Sequence, residues 1–211
     1  MRDPGALDPA VSAVLAEYEA RAEREQKIWE SLSPEESTRR RDEMLLPVGR
    51  AAGMLINLLI KEAQARRIVE VGSSYGYSTT WLAEAARAVD GRVISLELQE
   101  GKTQYARTQL SRAGLARYVE FRVDDALASL RQLPGPFDFV LIDLWKELYV
   151  PVFELLHRKL APGAIIVADN MLHPEKFRAE ARAYRQRVRA ASGMTSVLLA
   201  VGNGLEVSRY Q

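Results

Sequence analysis

From residue 67 onward the chain alternates five times between a short run of β-branched and aromatic residues and a stretch with helical spacing, and this rhythm restricts the possible folds more than any other feature. The runs are Arg67-Ile68-Val69-Glu70-Val71, Arg92-Val93-Ile94-Ser95-Leu96, Val119-Glu120-Phe121-Arg122-Val123, Phe137-Asp138-Phe139-Val140-Leu141-Ile142 and Ala164-Ile165-Ile166-Val167-Ala168. The helical stretches that follow them cover 78–88, 101–113, 125–132, 147–160 and 174–191. Strands that are each followed by a helix predict a parallel, doubly wound α/β sheet with right-handed crossovers. The tail breaks the rhythm. Residues 195–201 and 205–210, joined by Gly202-Asn203-Gly204, predict a hairpin that adds antiparallel pairing at one edge and brings the sheet to seven strands.

Upstream, residues 7–30 carry Val11, Val14, Leu15 and Tyr18 on one stripe, as in a surface helix with a buried face. Ser33-Pro34-Glu35-Glu36 reads as a cap with proline at the first helical position, and Pro47-Val48-Gly49 separates a second short helix from an apolar one at residues 50–65. At 211 residues, 47% hydrophobic and 27% charged, the whole of 1–211 is expected to form one domain with a helical extension at 7–46. Twenty-nine basic against 28 acidic residues leave a net charge of +1, which supplies no overall field for nucleic acid. The absence of cysteine removes disulfides, thiolate metal sites and thiol nucleophiles. Met1-Arg2-Asp3-Pro4-Gly5 shows no apolar leader and the longest apolar stretch, residues 51–60, is too short to span a bilayer, so a soluble cytoplasmic protein is expected.

In sheets of this kind ligands bind beyond the carboxyl ends of the strands. The residues there are Gly72-Ser73-Ser74-Tyr75-Gly76, Glu97, Asp124-Asp125-Ala126, Asp143 and Asp169-Asn170. Two glycines in the first strand-to-helix turn let a ligand approach the backbone, and Glu97, 25 residues after Gly72, suits the hydroxyls of a ribose. The turn lacks the G-x-G-x-x-G spacing and the lysine that a pyrophosphate needs. Carboxylates at Glu70 and Asp143 instead favour a cofactor that carries positive charge, as the sulfonium and ammonium of S-adenosylmethionine do. The ordinary alternative is that Glu70 is a strand residue and the glycines only make a turn.

Asp143-Leu144-Trp145-Lys146 follows the fourth strand and Asp169-Asn170 the fifth, which puts two carboxylates and an amide on neighbouring strand ends. An all-oxygen set is a hard-cation set and suits Mg²⁺, with Ca²⁺ or Mn²⁺ as substitutes. An ion there lowers the pKa of a bound diol hydroxyl, and Lys146 close by is placed to act as general base. Helix capping by Asp169-Asn170 and a solvated surface charge at Lys146 are the structural alternatives.

Taken together, Pro47-Val48-Gly49, the run from Val69 through Gly72 and Gly76 to Ser78, Asp143-Leu144-Trp145-Lys146 with Tyr149, and Ala168-Asp169-Asn170 resemble the catechol O-methyltransferase family, from about residue 44 to the C-terminus. The resemblance implies a class I methyltransferase (Rossmann-like) fold and transfer of a methyl group from S-adenosylmethionine to a metal-held hydroxyl of a catechol-like or other small phenolic acceptor. It implies Mg²⁺ ligated by Asp143, Asp169 and Asn170, with Lys146 as base. It also implies cofactor contacts at Val48, Glu70, Gly72, Ser78, Glu97, Asp125, Ala126 and Asp143, an aromatic wall at Trp145, and a homodimer.

One departure stands out: alignment of the Gly204-Leu205-Glu206 tail puts Val197 where the animal enzymes carry a glutamate that grips the second hydroxyl. Two other functions share the pattern. Arg178, Arg182, Arg185 and Arg189 recur at helical spacing and support a tRNA hydroxyuridine O-methyltransferase of the same fold, although a solvated face explains them more simply, as it does Arg39-Arg40-Arg41. A non-catalytic S-adenosylmethionine-binding protein is the third. His157 and His173 are read as residues outside the chemistry.

Overall fold

The computed structural model describes residues 7–211; Met1-Arg2-Asp3-Pro4-Gly5, read above for a leader, lies outside them. Seven strands form one sheet: β1 (Arg67–Val71), β2 (Arg92–Glu97), β3 (Val119–Val123), β4 (Phe137–Ile142), β5 (Leu160–Ala168), β6 (Met194–Leu199) and β7 (Leu205–Tyr210). Their order is β3-β2-β1-β4-β5-β7-β6. The first five pair in parallel, while β7 pairs antiparallel with β5 and with β6. The expected seven-stranded, doubly wound sheet with a terminal hairpin is therefore present, and β7 rather than β6 enters it next to β5.

Side-chain alternation along the strands feeds two cores. Ile68, Phe139, Leu141 and Val167 point to one face, where they meet α1 (Pro9–Ser31), α3 (Arg50–Glu62), α4 (Tyr77–Ala88) and α5 (Glu100–Arg112). Val69, Val71, Val140, Ile142 and Ile166 point to the other, covered by α6 (Ala126–Gln132), α7 (Tyr149–His157) and α8 (Arg178–Arg189). The connections after β1 and β4 thus leave to opposite faces, and a crevice opens between these neighbouring strands at their carboxyl ends. The short α2 (Pro34–Arg40) has the anticipated capping box: the Ser33 amide donates to Glu36 Oε2 at 3.0 Å and the Glu36 amide to Ser33 Oγ at 3.3 Å.

Helical spacing overran several boundaries: α3 ends at Glu62 where helix was expected to 65, α8 spans Arg178–Arg189 within the expected 174–191, and the largest shift is at α7. The stretch expected to be helix over 147–160 has α7 only from Tyr149 to His157, and β5 begins at Leu160 instead of Ala164. Lys159 is drawn out of the helix because its Nζ donates to the carbonyls of Leu130 (2.5 Å) and Leu133 (2.6 Å), capping α6. Its own carbonyl accepts from the Phe137 amide at 2.7 Å, which starts the strand early. Among the described residues no helix is long and apolar enough to cross a membrane.

Candidate active site

The first turn is shaped by backbone contacts. Gly72 has φ 91°, and a Cβ on it would stand 2.2 Å from the Asp143 carbonyl oxygen, so only glycine lets the ends of β1 and β4 lie this close. Gly76, at φ 92°, caps α4, and a Cβ there would meet Ala106 Cβ at 2.6 Å. The glycines therefore do more than make a turn; they let two elements close on it.

Glu70 is fully buried beneath this turn. Its carboxylate accepts from the hydroxyls of Ser78 (2.6 Å), Thr79 (2.6 Å) and Ser95 (2.7 Å), which tie the start of α4 and the middle of β2 to β1. Burial pushes its carboxyl up to about 7, against the lowering by the three hydroxyls, and the charge of Asp143 adds to the rise. Sequence reading found Glu70 and Ser78 but not Thr79 or Ser95; the signal was a serine inside a strand, flanked by Ile94 and Leu96.

Glu97 lies at the end of β2 beside the turn. It accepts from the amides of Ser74 (2.8 Å) and Gln99 (3.0 Å), and each oxygen keeps a further acceptor site. Asp125 caps α6 by accepting from the Ala128 amide at 2.8 Å, and half-buried Ala126 follows it. Val48 is buried at the mouth of the helix that begins after Gly49.

At the neighbouring strand ends, Asp169 is 1% exposed and its Oδ1 is buried without a hydrogen-bond partner. Burial first, and then the charge of Asp143, hold its carboxyl well above the usual carboxylate range. Asn170, at φ 57°, turns its Oδ1 to accept from Lys146 Nζ at 2.9 Å. Lys146 is itself only 3% exposed, so it is no solvated surface charge. Its Nζ also donates to the Tyr149 hydroxyl and lies 3.9 Å from Asp143 Oδ1. Tyr149 in turn donates to the Asp169 carbonyl at 3.2 Å, joining the two strand ends. Neither Asp169 nor Asn170 caps the next helix, which starts after Pro174 with no side-chain cap. Among the described residues no three His, Asp or Glu side chains form a metal-holding group. The oxygen set at this rim is two carboxylates and one amide.

Not all of the other residues singled out in the sequence reach the rim. Val197 sits inside β6, in register with Val207 and through it with Val167, two strands from β5 and away from the rim. The departure assigned to it therefore falls outside the cluster around Asp169. Trp145 is 41% exposed at the rim, and His173 is exposed. Of the α8 arginines, Arg185 (3.1 Å) and Arg189 (2.8 Å) converge on the fully buried Glu206, and Arg178 pairs with Glu175 at 2.6 Å.

The sheet order, the antiparallel hairpin and the crevice between β1 and β4 define a class I, Rossmann-like methyltransferase fold. Within it the chain belongs to the O-methyltransferase family, whose sequence profile matches residues 18–209. A catechol O-methyltransferase from Mycobacterium tuberculosis is 42% identical over 128 residues, which cover 60% of this chain and 58% of that protein, less than two thirds of its length. An O-methyltransferase from Bacillus cereus, solved in complex with SAH, superposes with a TM-score of 0.78 at 26% identity over 98% of this chain and 92% of its own. The O-methyltransferase TomG from Streptomyces achromogenes, solved with SAM, has a TM-score of 0.76 at 29% identity and covers 98% and 91%.

Proposed function

We propose that the protein transfers the methyl group of S-adenosylmethionine to a hydroxyl of a catechol-like phenol, with a hard divalent ion at Asp143, Asp169 and Asn170. The observation that carries this is the buried Asp169 Oδ1 without a partner, beside a second carboxylate that raises its pKa and next to a buried lysine. A cation satisfies both carboxylates at once, so the donor set fits Mg²⁺. The catechol named for the Mycobacterium tuberculosis relative supports the acceptor class, and the SAH and SAM held by the two solved relatives support the methyl donor. On this reading residues 1–211 work as one methyltransferase unit with a helical extension over 7–46.

The glycine turn receives the donor against bare backbone, Glu97 takes the ribose hydroxyls with its remaining acceptor sites, and Glu70 holds the turn from below. The exposed edge of Asp125 with Ala126 bounds the adenine side. An ion held by Asp143, Asp169 and Asn170 would supply positive charge that makes a diol hydroxyl acidic near neutral pH. Lys146, as the neutral amine that a neighbouring cation would favour over the ammonium, would take the hydroxyl proton at Nζ. Held by these residues, S-adenosylmethionine would supply its sulfonium methyl to the hydroxyl oxygen, the S–CH3 bonding pair departing with the neutral thioether. Gly72, Asn170 and Tyr149 keep the two strand ends in fixed relative positions, which is what orientation of the two reactants requires.

The test is methyl transfer from labelled S-adenosylmethionine to catechol, caffeate and flavonoid diols, with Mg²⁺ and with EDTA. Activity that EDTA removes and Mg²⁺ restores is expected. Full activity in EDTA overturns the metal assignment, and donor binding with no transfer to any diol leaves only a binding protein.

A further inference from the structure

We propose that helix α1 is a positioning element for the methyl-donor site, with Tyr18, Arg21 and Glu25 holding together two chain segments that face it. This rests on the reading of the glycine turn as the donor site. The segments are the turn at residues 72–76 and the stretch at residues 43–49 that leads into α3.

Tyr18 is fully buried and donates to the Tyr75 carbonyl at 2.6 Å, inside the glycine turn. The same hydroxyl lies 3.2 Å from where a Cβ on Gly76 would be, so the contact is fitted to that glycine. One turn of helix further on, the Arg21 guanidinium stacks 3.9 Å from the centroid of the Tyr75 ring, while its Nε donates to Glu25 Oε1 at 2.6 Å. Glu25 Oε2 then accepts from the Leu45 amide at 2.6 Å. Tyr75 closes the circuit by donating its hydroxyl to the Glu43 carbonyl at 3.1 Å.

Positions 18, 21 and 25 lie on one face of α1, as i, i+3 and i+7 must. The circuit therefore converts the rigidity of a helix of 23 residues into a fixed spacing between the turn and the 43–49 stretch. Beside the circuit, Leu46 holds φ 44° and is 48% exposed next to buried Val48. A non-glycine residue keeps such a conformation only where its surroundings hold it, and Glu25 ties down the backbone one residue earlier, at the Leu45 amide. Tyr18, Arg21 and Glu25 touch neither donor nor acceptor in this account; they act through the turn and through residues 45–48.

The experiment is titration calorimetry of the full chain with SAH in EDTA, for the wild type, Tyr18→Phe and Glu25→Gln, with a thermal melt of each. Loss of one such hydrogen bond weakens SAH binding by about five- to tenfold in each variant. In turnover, KM for the methyl donor rises by a similar factor while kcat at saturation holds. Glu25→Asp, which keeps the charge, recovers part of the affinity that Glu25→Gln loses. Variants that melt earlier yet bind SAH as the wild type does overturn the proposal, because they show a merely structural helix. If Tyr18→Phe fails to fold, Glu25→Gln decides by the same criterion. A wild type that binds no SAH overturns this proposal together with the function it rests on, whereas wild-type binding matched by both variants overturns this one alone.

Discussion

Asp169 combines burial, an orphaned oxygen and a like charge next to it, and each of these is unfavourable unless a cation is shared. Asp169→Ala is expected to abolish turnover while leaving SAH affinity within a few-fold, measured by calorimetry beside the methyl-transfer assay; parallel loss of both places Asp169 in the donor site. Lys146→Ala is expected to cost most rate near neutral pH and to recover partly as the phenol ionises unaided, and a uniform loss across the pH profile removes Lys146 as base. Glu70 makes a different prediction, about stability. Its carboxyl is raised from 4.5 to about 7 by burial, so between those values the native state holds a proton that the unfolded chain has released. This contribution, on the order of 3 kcal/mol, is fully present below the unfolded pKa and is lost as pH rises through the folded one. In the ligand-free protein Glu70→Gln is expected to flatten that part of the Tm-against-pH curve, and an unchanged slope contradicts it. Sequence located these three residues from their strand ends. Tyr149 stood in a motif without a role, because its partners Lys146 and Asp169 meet it only across two strand ends.

Elements set how much each glycine matters. Gly72 and Gly49 both have positive φ, at 91° and 84°, yet a Cβ on Gly72 would strike the Asp143 backbone whereas one on Gly49 meets nothing within 4 Å. Gly49→Ala therefore costs only the conformational strain, about 1–3 kcal/mol. Gly72→Ala adds a clash with backbone that cannot rotate away and is expected to cost more than about 3 kcal/mol, or to prevent folding. Thermal melts of the two variants check the order; equal losses would mean that β1 and β4 separate easily at their ends. The end of α7 shows the limit of periodicity at this scale. Apolar spacing ran through residue 160, but Lys159 caps α6 and its backbone pairs with Phe137, and neither partner is close in sequence.

For the whole molecule, charge is almost balanced, and two of the α8 arginines are engaged with a buried glutamate while Arg182 is exposed. Arg185 and Arg189 hold Glu206, which sits on β7 opposite Ala168 of β5, the residue before Asp169. These two arginines brace the hairpin against the helix. Weak tRNA affinity with a shallow salt dependence is the expected result of filter binding across a salt series, and a steep slope reopens the tRNA acceptor. By itself the sequence determined the alternating fold, the hairpin and the strand-end residues, because these follow from local periodicity and from a rule that places ligands at strand ends. Tertiary structure decided the rest: that Lys146 and Asp169 are buried, that Glu70 braces the turn through three hydroxyls, that Val197 lies off the rim, and that α1 grips the glycine turn. Burial and partnership join residues tens of positions apart, and no local pattern encodes which of them meet.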